Sequence, residues 1–364
     1  MRGRQGRLQD GTTVHGSSRR ATPDAARRAL VVATGASAAL LLSRHTARAQ
    51  SAGTSAGAPP LAPAATPVTL RLGHQKSSTL ITVLKARGGL ESALAPLGVK
   101  LAWSEFTSGL PLLEALNVGG IDVSADVADT VPVFAQAAGA QLTYYAREAP
   151  SPSAQGIVVR ADAALRGVAQ LKGRKVAVTK AAGSHYLLLV ALKQAGLGFA
   201  DIEPAYLSPA DGRAAFERGS VDAWVTWDPF LAAVQQQAGA RLLADGTGLA
   251  EYQRYYLAAT PFARARPDVL AVLFEQLSGA GRWVKAQPQQ AAALLAPLWG
   301  LDEATVQRAN GRRSYDVRAV EADGFTEQQR IADAFFAEGL LPRRVNAAEA
   351  ALWRPGTVQT TAAR

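Results

Sequence analysis

The sequence predicts an α/β fold of two lobes, each a mostly parallel sheet flanked by helices, facing one another across a cleft. Three observations carry that prediction. Short apolar runs lead repeatedly through small polar loops into helices of 3.6-residue apolar period, the order that packs helices on both faces of a parallel sheet. Residues 172–197 are the clearest case: Lys175–Thr179 reads as a strand, Lys180–Gly183 as a loop, and an amphipathic helix follows and closes at Gly196. Next, Ala115-Leu-Asn-Val-Gly119-Gly-Ile-Asp122 recurs one hundred residues later as Ala215-Phe-Glu-Arg-Gly219-Ser-Val-Asp222. Gln136-Ala-Ala-Gly139-Ala140-Gln-Leu142 recurs at the same offset as Gln236-Gln-Ala-Gly239-Ala240-Arg-Leu242. Each repeated unit is a helix end, a glycine that closes it and the run into the next strand, so the lobes resemble each other. Finally, 364 residues at 48% hydrophobic exceed the length, about 250–300 residues, at which single cores stop growing.

The first 49 residues read as a secretory signal peptide. Seven arginines lie within residues 1–28, Ala29–Leu42 carries no charge, and Ala47-Arg48-Ala49 is a small-x-small site with cleavage expected before Gln50. Twin arginines stand at Arg19-Arg20 and Arg27-Arg28, but their flanks fit a twin-arginine signal poorly, so both export routes stay open. This segment holds nine of the 39 Lys and Arg and two of the 29 Asp and Glu, which leaves 30 against 27. The exported chain is then only +3, and nucleic-acid binding, which needs a basic patch, is discounted. The absence of Cys excludes disulfides, thiolate catalysis, thiolate metal sites and a lipid anchor at the cleavage point. Residues 50–67, small and Pro-rich, are expected to be a disordered leader, and the destination is a periplasm.

The folded part divides into a first part of lobe 1 (68–155), lobe 2 (156–258), a helical second part of lobe 1 (259–355) and a tail (356–364). Val68–Gly73 alternates as a strand, loop 74–78 follows, and a helix ends near Gly88-Gly89. Lys100–Phe106 is a second strand, leading through Thr107-Ser108-Gly109 to a helix that runs to Leu116. Parallel sheets bind ligands beyond their strands' carboxyl ends, so loops 74–78, 107–109, 124–129, 180–185 and 225–229 should surround one cleft. The extended segments Gln155–Arg160 and Tyr255–Thr260 bracket lobe 2 and are expected to form its hinge. After Pro261 the chain turns helical through Asp268–Lys285, Pro288–Leu298 and Thr326–Glu338, helices expected to cover the first lobe.

Ser184 sits at the expected N-cap of the central helix, where unpaired amides and a hydroxyl converge as an anion cradle. Ser184 and His185 suggest a nucleophile and base, yet adjacent helical residues project about 100° apart and do not face each other. The exported chain keeps only His74 and His185, too few for a triad or metal cluster, and no Gly-rich nucleotide fingerprint is present. No cofactor is therefore expected. Asp126 and Asp129 read as a strand-end turn with Asx caps rather than an acid–base pair. Trp224 reads as core and Trp227, at a strand tip, as a pocket wall; Asp228 should cap the next helix with Pro229 at its first position.

Taken together, residues 68–355 resemble the aliphatic-sulfonate-binding periplasmic proteins of ABC importers, close to the taurine- and nitrate-binding proteins. The resemblance rests on Leu72-Gly-His-Gln75-Lys, Leu113-Glu-Ala-Leu-Asn-Val-Gly119, Phe134-Ala-Gln-Ala-Ala-Gly-Ala140, Ser184-His185, Tyr206-Leu-Ser-Pro-Ala-Asp211, Val221-Asp-Ala-Trp224, Trp227-Asp-Pro229 and Trp353-Arg-Pro355. It implies a type II periplasmic binding fold and a sulfonate held by loop amides and hydroxyls at Gln75, Ser78, Gly109, Ser184 and His185, with Trp227 and Asp228 on the far wall. Asp129 matches the family's aspartate. Asp126 departs from the pattern and would repel an anion or accept from a cationic tail. The implied partners are a small organosulfonate and a membrane permease with its ATPase, served by a monomeric, non-enzymatic receptor; taurine, a sulfate ester or nitrate is the alternative ligand, and an exported hydrolase using Ser184 and His185 the distant alternative.

Overall fold

The computed structural model describes residues 68–321 and 325–356. The expected signal peptide, the leader and all but Gly356 of the tail lie outside the described residues. The chain begins with β1 (Val68–Gln75), α1 (Thr79–Arg87), α2 (Gly89–Leu94), β2 (Val99–Phe106), α3 (Gly109–Asn117), β3 (Val123–Ala128), α4 (Thr130–Ala137) and β4 (Leu142–Glu148). It crosses to β5 (Gln155–Val159), β6 (Lys175–Val178), α5 (Gly183–Gln194), β7 (Glu203–Tyr206), α6 (Pro209–Glu217), β8 (Ala223–Trp227), α7 (Phe230–Gln237) and β9 (Arg241–Asp245). It then returns as β10 (Arg254–Ala259), α8 (Thr260–Ala265), α9 (Pro267–Ala286), α10 (Pro288–Trp299), α11 (Glu303–Arg312), β11 (Val317–Arg318), α12 (Phe325–Ala337) and β12 (Ala351–Leu352).

Two sheets result, of order β11-β4-β10-β3-β1-β2, with β12 beside β4, and β7-β6-β8-β5-β9. Each is mostly parallel with one antiparallel strand next to its centre: β10 runs antiparallel to β3 and β4, and β5 antiparallel to β8 and β9, while the short edge strand β11 is also antiparallel to β4. Those two strands follow directly on the crossings between sheets, so each sheet accepts the returning chain as an inner strand. The expected hinge therefore needs correction, because Gln155–Val159 and Arg254–Ala259 are sheet strands. The crossings are residues 149–154 and 246–253, which run side by side through Ser151 N donating to Glu251 O (3.0 Å) and Gly246 N donating to Pro152 O (3.0 Å).

The sequence repeat has a structural counterpart in detail. Gly119 and Gly219 take left-handed φ of 72° and 70°, the conformation that lets a chain leave a helix sharply. Gly120 N then donates to Ala115 O and Ser220 N to Ala215 O. Asp122 and Asp222 each accept a backbone N–H from the neighbouring strand, from Arg71 at 2.8 Å and Lys175 at 2.9 Å.

Inner strands such as β3 are buried along their whole length, as a sheet covered on both faces requires. α9 and α10 pack with α1 and α2 over one face of the first sheet, with Leu70, Leu72, Leu273, Leu277 and Leu295 inaccessible in that core. α11 and α12 behave differently. α11 lies against α7, while α12 bridges α4 and α5, where Phe335 joins Val133, Tyr186 and Leu189 in one apolar cluster.

Candidate functional site

Strand ends and helix starts from both sheets meet at a narrow cavity of about 10 Å³. Gln75 ends β1, Ala128 ends β3 and Trp227 ends β8, while Gly109 opens α3 and Gly183 opens α5. All five line the cavity, with Val131 and Ala182 adding apolar wall and Tyr252, on the returning crossing, and Arg254, at the start of β10, closing it. Neither helix start is capped by a side chain; His185 N donates to Ala182 O (2.9 Å) and Pro111 carries no N–H, and the other first-turn amides of α3 and α5 lack the partners that interior amides have. Each start carries partial positive charge, and the two come from opposite sides of one space.

Two glycines make that approach possible. A Cβ at Gly183 would lie 2.5 Å from Tyr252 Cε2, and one at Gly109 2.8 Å from Val131 Cγ2, both closer than real carbons come. Across the same seam Thr130 Oγ1 donates to Ala181 O (2.6 Å) and Trp227 Nε1 to Ser77 Oγ (3.4 Å). The cleft is thus closed, with hydrogen bonds between the two sides.

Behind the cavity lies a buried group of four charges. Arg254 Nε donates to Asp126 Oδ2 (2.8 Å), with Nη2 2.6 Å from the same oxygen. Arg313 Nη2 donates to Glu148 Oε2 (2.6 Å) and reaches Asp126 Oδ2 at 3.5 Å; Tyr256 OH donates to Glu148 Oε1 (2.7 Å). Burial would raise the Asp126 carboxyl, but the Arg254 and Arg313 charges and hydrogen bonds more than offset it and hold it below the usual carboxylate range. Two acids and two guanidiniums balance, so Asp126 offers no free negative charge to the cleft.

Of the residues singled out in the sequence, Gln75, Gly109 and Trp227 line the cavity. Gln75 Nε2 donates to Asp126 O (2.9 Å) and its backbone N to Ser78 Oγ (3.2 Å), so Ser78 holds the β1 end from behind. Asp129 accepts from Thr130 N and Gln253 N, fastening α4 to the returning crossing. Its burial and the nearby Glu327 charge push its pKa up to about 7. Asp228 accepts from Ala232 N (3.0 Å) and pairs with Arg312 at 3.2 Å, and burial carries it to about 7 as well. The capping role expected of Asp228 is present, although the helix begins at Phe230 rather than Pro229.

Ser184 is the second residue of α5, and Ala182 is the N-cap. The Ser184 hydroxyl is buried one residue behind the cavity wall, without a hydrogen-bond partner among the described residues. His185 is buried in a cage of Phe199, Tyr206 and Phe335, with ring centroids 4.9–5.5 Å apart, and is not part of the cavity wall. Its Nδ1 accepts from Ala181 N (3.3 Å), and burial first, then the Lys180 charge, holds it neutral down to about pH 3. No hydrogen bond joins it to Ser184, so the pair is not arranged as nucleophile and base.

Sequence reasoning passed over Tyr252 and Arg254. A signal existed: Arg254 stands at the start of an otherwise apolar strand and Asp126 inside another, and lone opposite charges in buried strands are natural partners.

Two sheets that each take in one returning antiparallel strand, with a polar-headed cavity between their strand ends, define a type II periplasmic binding fold. Within it, the chain belongs to the NMT1-like family, whose profile matches residues 64–298. The periplasmic aliphatic sulphonate binding protein SsuA of Escherichia coli is 41% identical and superposes with a TM-score of 0.71, covering 79% of this chain and 98% of that one. The alkanesulfonate-binding protein SsuA of Xanthomonas axonopodis pv. citri, bound to MOPS, is 40% identical with a TM-score of 0.75, over 80% and 100% of the two chains. The taurine-binding periplasmic protein of Escherichia coli is 23% identical over 57% of this chain and 67% of its own length.

Proposed function

We propose that the protein is the non-enzymatic, periplasmic substrate-binding component of an ABC importer for aliphatic sulfonates, exported by its N-terminal signal and delivering ligand to a permease and its ATPase. The observation that carries this reading is the meeting of two uncapped helix starts and a buried guanidinium at one cavity whose remaining walls, Gln75 and the Tyr252 hydroxyl apart, are mostly apolar. Such a site favours a tetrahedral anion with a hydrocarbon tail: amides, the Ser184 hydroxyl and Arg254 take the head, and Trp227, Val131 and Ala128 cover the tail. Taurine fits less well. Its ammonium would need a free carboxylate, and the one behind the wall, Asp126, is already neutralised by Arg254. Relatives that are sulfonate-binding proteins over nearly their whole length support the same reading.

The test is a thermal-shift and calorimetry panel of C2–C6 alkanesulfonates, taurine, sulfate and nitrate. A true ligand at 100 times its Kd adds about 2.7 kcal/mol to native stability and raises Tm accordingly. Saturation by alkanesulfonates with weaker taurine binding is expected. A panel in which no sulfonate raises Tm, or in which nitrate binds more tightly than every sulfonate, rejects the proposal.

A further inference from the structure

Tyr252 holds an unusual position. It lies on the returning crossing between the two sheets, is 1% exposed, and takes a left-handed φ of 54°, which a residue with a side chain adopts only when its surroundings impose it. Its ring edge packs against Gly183 at the start of α5, so closely that a Cβ there would overlap it. Its hydroxyl oxygen accepts from Arg254 Nη1 at 2.7 Å. A phenol has one proton to donate, and no acceptor for it occurs among the described residues although the side chain lines the cavity.

We propose that Tyr252 is a head-group ligand: Arg254 occupies the oxygen as donor, which turns the phenol proton toward the cavity, where it donates to the anion gathered by the starts of α3 and α5. The inference rests on the anion-site reading above and deepens it. Arg254 and Tyr252 then act in series, because an oxygen that accepts from a guanidinium becomes a stronger donor through its own proton. The residue lies on the crossing and touches α5, so the same hydrogen bond favours the closed cleft. Binding energy at the head is thereby tied to the hinge without a further moving part.

The experiment compares the parent, Tyr252→Phe and a variant carrying 3-fluorotyrosine at 252, titrated with 1-propanesulfonate by calorimetry alongside unliganded melting curves. Fluorination makes the phenol a stronger donor and a weaker acceptor. Tyr252→Phe should weaken propanesulfonate binding by about tenfold to a hundredfold, the loss of one hydrogen bond to a charged group. The fluorinated variant should bind at least as tightly as the parent. Tyr252→Phe binding as the parent does overturns the proposal. So does a fluorinated variant that binds more weakly, since the side chain would then act only by accepting from Arg254. A parent that binds no sulfonate defeats the sulfonate reading itself, a different outcome from a parent that binds while the Tyr252 variants match it.

Discussion

Gly183→Ala tests the closed cleft most directly. The added Cβ would stand 2.5 Å and 2.6 Å from Tyr252 Cε2 and Cδ2 and 3.2 Å from Ala128 Cβ. Carbon atoms at rest lie about 3.5–4.0 Å apart, so the overlap with the ring is about 1 Å. The ring has little room to yield, being buried, tied through its hydroxyl to Arg254 and set on a left-handed backbone. Overpacking of this kind costs about 1–3 kcal/mol. The cost falls on the closed form alone, because opening the cleft separates α5 from Tyr252, and alanine at a helix's first residue costs nothing in propensity. Affinity for propanesulfonate should therefore drop about 5- to 150-fold, while the unliganded variant keeps its cooperative melt. Calorimetry at 25 °C with melting curves of unliganded protein gives both quantities. Parental affinity in Gly183→Ala would refute the reasoning, because the ring and α5 could not then be in contact when ligand is bound.

Asp126→Asn should lower the unfolding free energy measured in urea by about 3–5 kcal/mol, since Arg254 and Arg313 lose their shared counter-charge in a buried place. The same variant should leave the ratio of propanesulfonate to taurine affinity unchanged, and a changed ratio would mean that ligands sense Asp126 directly. Ser184→Ala should weaken propanesulfonate binding about tenfold to a hundredfold with no loss of unliganded stability, because its buried hydroxyl has no partner to lose among the described residues. Equal affinities by calorimetry would move the head group away from α5. His185 is held neutral to about pH 3 in the fold against 6.5 when unfolded, so the unfolded chain takes up its proton first as pH falls. Its contribution is complete above pH 6.5 and erodes between 6.5 and 3, by about 2 kcal/mol at pH 5. His185→Phe should therefore gain stability relative to the parent as pH drops from 7 to 4, and a Tm difference that stays constant across that range would count against the buried neutral ring.

The lobes were legible because a helix end, its glycine and the next buried strand leave a local signature, and that signature occurred twice at one spacing. Gln75, Gly109 and Trp227 were legible for a related reason: Gln75 and Trp227 end strands, Gly109 opens the helix that follows one, and the carboxyl ends of parallel strands face one cleft. The sequence alone therefore determined the α/β class, the two-lobed plan, the strand–loop–helix units and several of the loops that surround the cavity. Tertiary structure decided matters that depend on which strands become neighbours. Tyr255–Thr260 had the pattern of a connecting segment, but once the chain recrosses most of it becomes an inner strand, since only there can its apolar side chains be buried on both faces. Ser184 stood where an N-cap is expected, yet the helix begins one residue before it because Ala182 keeps the extended backbone that an N-cap needs. Asp126 looked like an unpaired charge because its partner, Arg254, lies 128 residues away. Local propensity reports on the nearest few residues, whereas the charge balance behind the cavity, the cage around His185 and the contact of Tyr252 with Gly183 arise from long-range packing that no local pattern encodes.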